Sequence, residues 1–251
     1  MSESKVVKSF VKHSQIFNFN VVNRDAWIAS QAKQLPEGSR ILDAGAGSCP
    51  YRGFFKHCEY KAQDFVNLSD EQLSGGQYGQ IDYVCDIASI PVADASFDAI
   101  LCSEVLEHLP EPIKVISEFA RILKPGGKII ITAPLGSGIH QEPYHFYGGY
   151  TPFWYGKFLA EAGFDAIQVE ENAGSLRACA QESMRFIQLS KPFSFGMPFW
   201  KELLWAPLWL LLLPFMAILA PLSSMFLNPY DKDKRFTIGY HVTAVRRVDA
   251  E

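Results

Sequence analysis

The chain has 251 residues, enough for one sizeable core, and the expectation is a single elaborated α/β domain. Its 23 basic and 27 acidic residues leave a net charge of -4 with no block of Lys and Arg, which argues against DNA or RNA as a partner. The five cysteines, Cys49, Cys58, Cys85, Cys102 and Cys179, are scattered and lack CxxC spacing, so reduced thiols in a cytoplasmic compartment are expected.

The opening stretch, MSESKVVKSFVKHS, has no apolar core followed by a small-residue cleavage site, and residues 1–37 read as a helical segment. Strand and helix signals then alternate across 38–172, the pattern of βαβ units and a mainly parallel sheet. RILDA (40–44) is the first strand and runs into the turn GAGSCP. YKAQDF (60–65) and YVCDI (83–87) follow, each with an acid near its end; FDAILCSEV (97–105) and GKIIITAP (127–134) are the fourth and fifth strands. Between those two, EPIKVISEFARIL places Ile113, Ile116, Phe119, Ala120 and Leu123 on one helical face. KPGG is expected to stop that helix, because Gly126 and Gly127 accept positive φ. A loop rich in Gly, His and Tyr leads to an amphipathic helix (151–164) and a sixth strand (165–172). A helical insertion (173–235) and a last strand (236–247) complete the chain.

Asp43 ends the first strand, and Gly45 and Gly47 in the turn let a ligand approach the backbone, whose N–H groups lie at the next helix's start. Asp64 follows Asp43 by 21 residues, close to the offset at which an acid takes ribose hydroxyls in dinucleotide folds. Either acid could instead cap the turn that follows it.

Taken in order, DAGAGSC, QDF, CDI, SFDAILCSEVLEHL and RILKPGGKIIITAP resemble the motifs of class I S-adenosylmethionine-dependent methyltransferases over about 38–172. The resemblance implies a Rossmann-like, seven-stranded, mainly parallel sheet with helices on both faces, and S-adenosylmethionine as cofactor. It also implies that Asp43 supports the methionine end of the cofactor with Gly45 and Gly47 packed beneath, and that Asp64 holds the ribose. Asp86 and Ile87 would flank the adenine, and Ser103 and Glu104 would line the methionine side. Cys49 departs from the pattern, standing where the family often has a third glycine.

Methyl transfer from a sulfonium needs alignment of the nucleophile and, for a hydroxyl or amine, removal of a proton. The loop GSGIHQEPYHFYGGY follows a parallel strand's carboxyl end and holds His140, Glu142, Tyr144, His145 and Tyr147 among glycines that would let it move. His145 and His140 are the candidates for a base or an acceptor contact, or else they hold the loop by hydrogen bonds. Glu107 and His108 read as capping or packing residues. No metal site is expected, since these residues show no recognisable ligand spacing. The segment PYHFYGGYTPFWYGKFLAEAGF resembles bacterial methyltransferases of small glycan or lipid-linked metabolites, which implies O- or N-methylation of a glycan, quinone-like or similar acceptor. A non-catalytic cofactor-binding protein that recruits partners at a membrane is the competing reading. A nicotinamide dehydrogenase shares the Gly-rich turn but not the later motifs.

From Leu203 to Leu227 there are 25 residues without a charge. Residues 199–227 are read as a peripheral or monotopic contact with the inner face of a membrane, or else as a homodimer interface. Strands on both sides of the block rule out a single crossing, and Pro207, Pro214 and Pro221 predict bent short helices or a shallow hairpin. Trp200, Trp205 and Trp209 suit the headgroup boundary, and Lys201, Lys232, Lys234 and Arg235 could face anionic lipid.

Overall fold

Seven strands form, the central β1, β4 and β5 from apolar runs rich in Ile and Leu: β1 (Arg40–Ala44), β2 (Glu59–Asp64), β3 (Tyr83–Val84), β4 (Phe97–Ser103), β5 (Leu123–Pro134), β6 (Phe164–Glu171) and β7 (Gly239–Arg246). The computed structural model describes residues 14–232 and 234–248, so the first thirteen residues of the expected N-terminal segment, and Asp233, lie outside it. The strands make one sheet in the order β3-β2-β1-β4-β5-β7-β6. β1 runs parallel to β2 and β4, β4 parallel to β5, and β7 antiparallel to β5. The order reverses between β1 and β4, the switch point beyond whose carboxyl ends ligands bind in open α/β sheets.

Parallel strands covered on both faces read as continuous apolar runs, and here Ile41, Leu42, Ile100, Leu101, Ile130 and Ile131 are all fully buried. On one face Ile28 and Ala32 of α1 (Phe19–Ala32) pack with Ile41, Leu101 and Ile130. On the other, α2 (Pro112–Ile122) and α3 (Pro152–Glu161) pack with Leu42, Ile100, Ile129 and Ile131. The Thr151 side chain accepts from Trp154 N and caps α3.

Three local expectations are corrected. The buried face of α2 is Val115, Ile116, Phe119 and Ile122, while Ile113 is exposed, because the helix starts at Pro112 and is rotated from the expected register. KPGG does not close the helix: Leu123 is already extended, and the four residues sit inside β5, where pairing with β4 shifts from Phe97↔Leu123 to Ala99↔Lys128. The turn after β1 opens only a single 3-10 turn, Arg52–Phe55, in place of a longer helix.

The described chain packs as two compact units, one of residues 24–170 with 239–248, the other of residues 14–23 with 171–238. The second unit has its own small cluster of Phe19, Ala173, Ala178 and Ile238, with the Arg177 guanidinium 3.8 Å from the Phe19 ring centre. Its α4 (Ser175–Leu189) is followed by a helical run of 32 residues, Phe199–Tyr230. The run consists of α5 (Phe199–Pro214), a π-helical turn (Phe215–Leu219), α6 (Ala220–Leu227) and a last 3-10 turn. Trp205 and Trp209 donate to the carbonyls of Ser190 and Ile187, Ser183 donates to that of Met216, and Leu176 N donates to Asp231. As the number rises on one partner it falls on the other, so α4 and the run form an antiparallel helical hairpin. In place of the bent short helices or shallow hairpin expected within the block, the block itself is one continuous run, interrupted by the π turn at Phe215–Leu219. The π turn directly after Pro214 absorbs the hydrogen bonding that proline interrupts, and the helix continues. Trp205 and Trp209 are tied to α4, while Trp200 stays exposed.

Candidate cofactor and acceptor site

The carboxyl edge of the parallel strands carries the residues singled out in the sequence. Gly45 has φ +75°, and a Cβ there would lie 2.5 Å from Val105 Cγ2, so only glycine fits the turn. Gly47 and Cys49 are also left-handed, at +50° and +54°. Cys49 thus holds a glycine-favouring conformation, at a cost of roughly 1–2 kcal/mol.

Asp43 and Asp64 are both buried at adjacent strand ends. Gly47 N donates to Asp64 Oδ2 at 2.9 Å and Val66 N to Oδ1 at 3.0 Å, so Asp64 organises both turns. Asp43 accepts from the Tyr60 hydroxyl. Burial pushes its carboxyl up to about 7, with the nearby Asp64 adding to the rise and the Tyr60 hydrogen bond and Arg52 opposing it. Asp86, beyond β3, is exposed and accepts from Ala88 N at 2.8 Å, while its neighbour Ile87 is buried.

Ser103, at the end of β4, is 2.9 Å from Thr132 Oγ1 and 3.3 Å from the Tyr51 hydroxyl. Glu104 is left-handed at φ +55°; its Oε1 accepts from Thr132 Oγ1 at 2.9 Å and its Oε2 pairs with Arg24 at 3.1 Å. Sequence reasoning missed Thr132, Tyr51, Arg24 and also Gln63, whose Oε1 accepts from Gly45 N while its Nε2 donates to the Cys85 carbonyl. Only Gln63, adjacent to the strand-end Asp64, carried a positional signal.

The loop after β5 is tied to its surroundings by hydrogen bonds. Tyr150 N bonds the Pro134 carbonyl and Ser137 N that of Gly148, closing its base. Phe146 N and Tyr147 N both donate to the Glu107 carbonyl, and Gln72 and Gln141 bind each other's loops through side-chain to backbone bonds. The Phe65 and Tyr144 rings meet edge-on at 5.0 Å.

This folding brings His108, His140 and His145 together, with ring centres 4.7 Å apart for 108 and 140, 4.7 Å for 140 and 145, and 5.7 Å for 108 and 145. The expectation that these residues do not converge is corrected; the three come from two loops whose approach no local spacing records. Glu107 is buried beside them, its Oε1 3.8 Å from His108 Nε2 and its Oε2 without a partner. Burial first, then the Glu104 charge, pushes Glu107 up to about 8. Burial lowers His108 to about 4, with its bond to Tyr144 opposing and the other two imidazoles adding to the fall.

A parallel sheet with its switch point between β1 and β4, and two buried strand-end acids around a left-handed Gly-rich turn, fits the class I S-adenosylmethionine-dependent methyltransferases. The donor set suits this cofactor, offering carboxylates to hydroxyl and amino groups and apolar Ile87 toward a base. The methyltransferase domain family matches residues 42–131, from within β1 to within β5, and with the relatives below it supports a class I methyltransferase that uses S-adenosylmethionine as its cofactor.

Among its relatives, a demethylmenaquinone methyltransferase of Bacillus velezensis is 24% identical over 182 residues, 67% of this chain and 78% of that one. A ubiquinone biosynthesis O-methyltransferase of Idiomarina loihiensis is 37% identical over 107 residues, 38% of this chain and 42% of that one. The match to that enzyme therefore spans less than half of its length. The phosphoethanolamine N-methyltransferase 2 of Haemonchus contortus, solved with S-adenosylmethionine, has a TM-score of 0.51 at 18% identity, covering 95% of this chain and 59% of that one. The [4+2]-cyclase SpnF has a TM-score of 0.52 at 17% identity, covering 98% and 97%. Likeness at these identities speaks to the fold alone, and the site residues carry the functional argument.

Proposed function

We propose that the chain transfers a methyl group from S-adenosylmethionine to an oxygen or nitrogen of a small, lipid-linked acceptor, glycan or quinone-like, at the inner face of a membrane. The observation that carries the lipid half is the Phe199–Tyr230 run, whose most apolar 18-residue window has a mean hydropathy of 2.2 and is not buried. Leu203, Leu204, Leu211, Phe215 and Phe226 are all exposed on it, and Phe186 and Leu189 of α4 add to the apolar surface. An apolar surface this continuous on a charged, soluble-type chain marks a contact site. Lipid is favoured over a second protein because Trp200 and Lys201, residues suited to the headgroup boundary, stand at the start of the run. The chain returns to β7 after the run, so the hairpin enters a membrane without the protein crossing it. A relative named for ubiquinone biosynthesis and another named for demethylmenaquinone support an acceptor of this size class.

In the transfer, the acceptor atom attacks the methyl carbon, the carbon–sulfur bond breaks with its electron pair returning to sulfur, and the acceptor proton leaves. His140 and His145 are the side chains we assign to the acceptor. The test incubates the full protein, and a variant with 199–227 replaced by a short polar linker, with anionic liposomes and with labelled cofactor plus membrane extract. The parent is expected to float with the liposomes and label a lipid-extractable product. A detergent-free soluble parent that ignores liposomes and forms a dimer by light scattering would overturn the membrane reading.

A further inference from the structure

The side chains of His108, His140 and His145 each present a ring nitrogen, and these three atoms lie within 4.8 Å of one another. Two of the rings are already oriented as metal ligands are. His108 Nδ1 is 2.5 Å from the Tyr144 carbonyl and His140 Nδ1 is 2.9 Å from that of Gly138. A carbonyl only accepts, so each Nδ1 carries the hydrogen and each Nε2 keeps its lone pair. Donation of one ring N–H to a backbone carbonyl is the outer-shell bond that fixes tautomer and orientation in metal-bound imidazoles. His145 supplies the complementary observation: its Nδ1 is buried and has no hydrogen-bond partner, a state that buried polar atoms rarely keep.

We propose that His108, His140 and His145 form a binding site for one first-row divalent transition metal ion of the zinc, iron or cobalt kind. Three nitrogens at ~2.1 Å from a tetrahedral ion stand ~3.4 Å apart, so the trio closes by side-chain movements of about 1 Å. An all-imidazole set selects such ions over magnesium or calcium, which prefer oxygen. Three protein ligands leave a position open, the arrangement of metal sites that act on a ligand. Glu107 Oε1, 3.8 Å from His108 Nε2, is the oxygen placed to join the ion or to hold a water on it.

The site deepens the acceptor reading of His140 and His145, although metal binding itself does not depend on it. An acceptor hydroxyl on the open position loses its proton to water more readily. Its oxygen then bonds to the methyl carbon as the carbon–sulfur pair returns to sulfur, and the ion is unchanged. Both loops leave the same edge of the sheet as the cofactor residues, after β4 and after β5.

The experiment uses the full chain, stripped with chelator and dialysed against Zn²⁺ or Co²⁺ alone. One ion per chain is expected, with the visible absorption of four- or five-coordinate Co²⁺ and a rise in melting temperature on binding. His140→Ala and His145→Ala should each weaken binding at least about tenfold, the lower end of what losing even an outer-shell partner does. His140 is exposed, so its replacement leaves the core untouched. His57→Ala, away from the cluster, should bind as the parent does. S-adenosylhomocysteine binding by calorimetry, retained in these variants, shows the fold and cofactor site intact whatever the metal result. Uptake by the parent no greater than by the His140→Ala, His145→Ala double variant would overturn the proposal.

Discussion

Asp43 and His241 are both buried, and their environments move them in opposite directions. Burial raises Asp43 to about 7, with Tyr60, Asp64 and Arg52 around it. Burial, then the charge of Arg24, lowers His241 to about 4, where its ring stacks on Trp27 at 4.8 Å. An acid whose folded value is raised contributes stability that is present below its unfolded value of ~3.9 and lost as pH climbs toward 7, on the order of 4 kcal/mol. A histidine whose folded value is depressed contributes stability present above ~6.5 and lost as pH falls toward 4, on the order of 3 kcal/mol. The two slopes oppose each other in nearly one window. We expect Asp43→Asn to lose stability more steeply than the parent on acidification from pH 7 to 4, without cofactor, and His241→Gln less steeply. Melting profiles that run parallel to the parent's across that range would refute both assignments. Asp64 offers a second test at this scale. Asp64→Ala removes a carboxylate that orders Gly47 and Val66 and is assigned to the ribose, and should weaken S-adenosylhomocysteine binding by about 1.5–3 kcal/mol in calorimetry.

Among elements, the turn after β1 has the least freedom. An added methyl at Gly45 would meet Val105 at 2.5 Å on a backbone at φ +75°, so neither rotation nor a small shift relieves it. Gly45→Ala is expected to destabilise the protein by about 1–3 kcal/mol and to weaken cofactor binding, because Val105 directly follows Ser103, the last residue of β4, and Glu104. A variant that melts and binds as the parent does would mean that the turn is looser than its geometry. The long helical run shows the opposite tolerance. Proline normally breaks a helix, yet Pro207 and Pro214 lie within α5, and the π turn that follows restores the path. The loop after β5 is held in a way composition hides: its backbone bonds to the Glu107 carbonyl and closes its own base.

At the scale of the molecule, every strand of the sheet except the last residue of β6 comes from residues 24–170 and 239 onward, and the sheet's core needs nothing from the apolar run. Replacing 199–227 by a short polar linker should therefore leave S-adenosylhomocysteine affinity within about twofold while abolishing flotation with anionic liposomes. Loss of cofactor binding in a folded variant would show the two units to be functionally inseparable.

Sequence alone determined the sheet and the cofactor, and it singled out the strand ends at which we propose the cofactor sits. Period and turn chemistry are local, and Asp43, Gly45, Gly47 and Asp64 announce themselves by their positions at strand ends. The same local reading located the apolar block and its lack of charge. It erred where the outcome depends on neighbours: KPGG became part of a strand because β4 pairs with Leu123 before it and Lys128 after it, and Trp205 and Trp209 turned to α4 because carbonyls at its end were open. Only the tertiary structure decided that three histidines, 32 and 5 residues apart along the chain, share one small space. The contact is made by two loops closing over the sheet's carboxyl edge, and a contact between loops leaves no period in either of them.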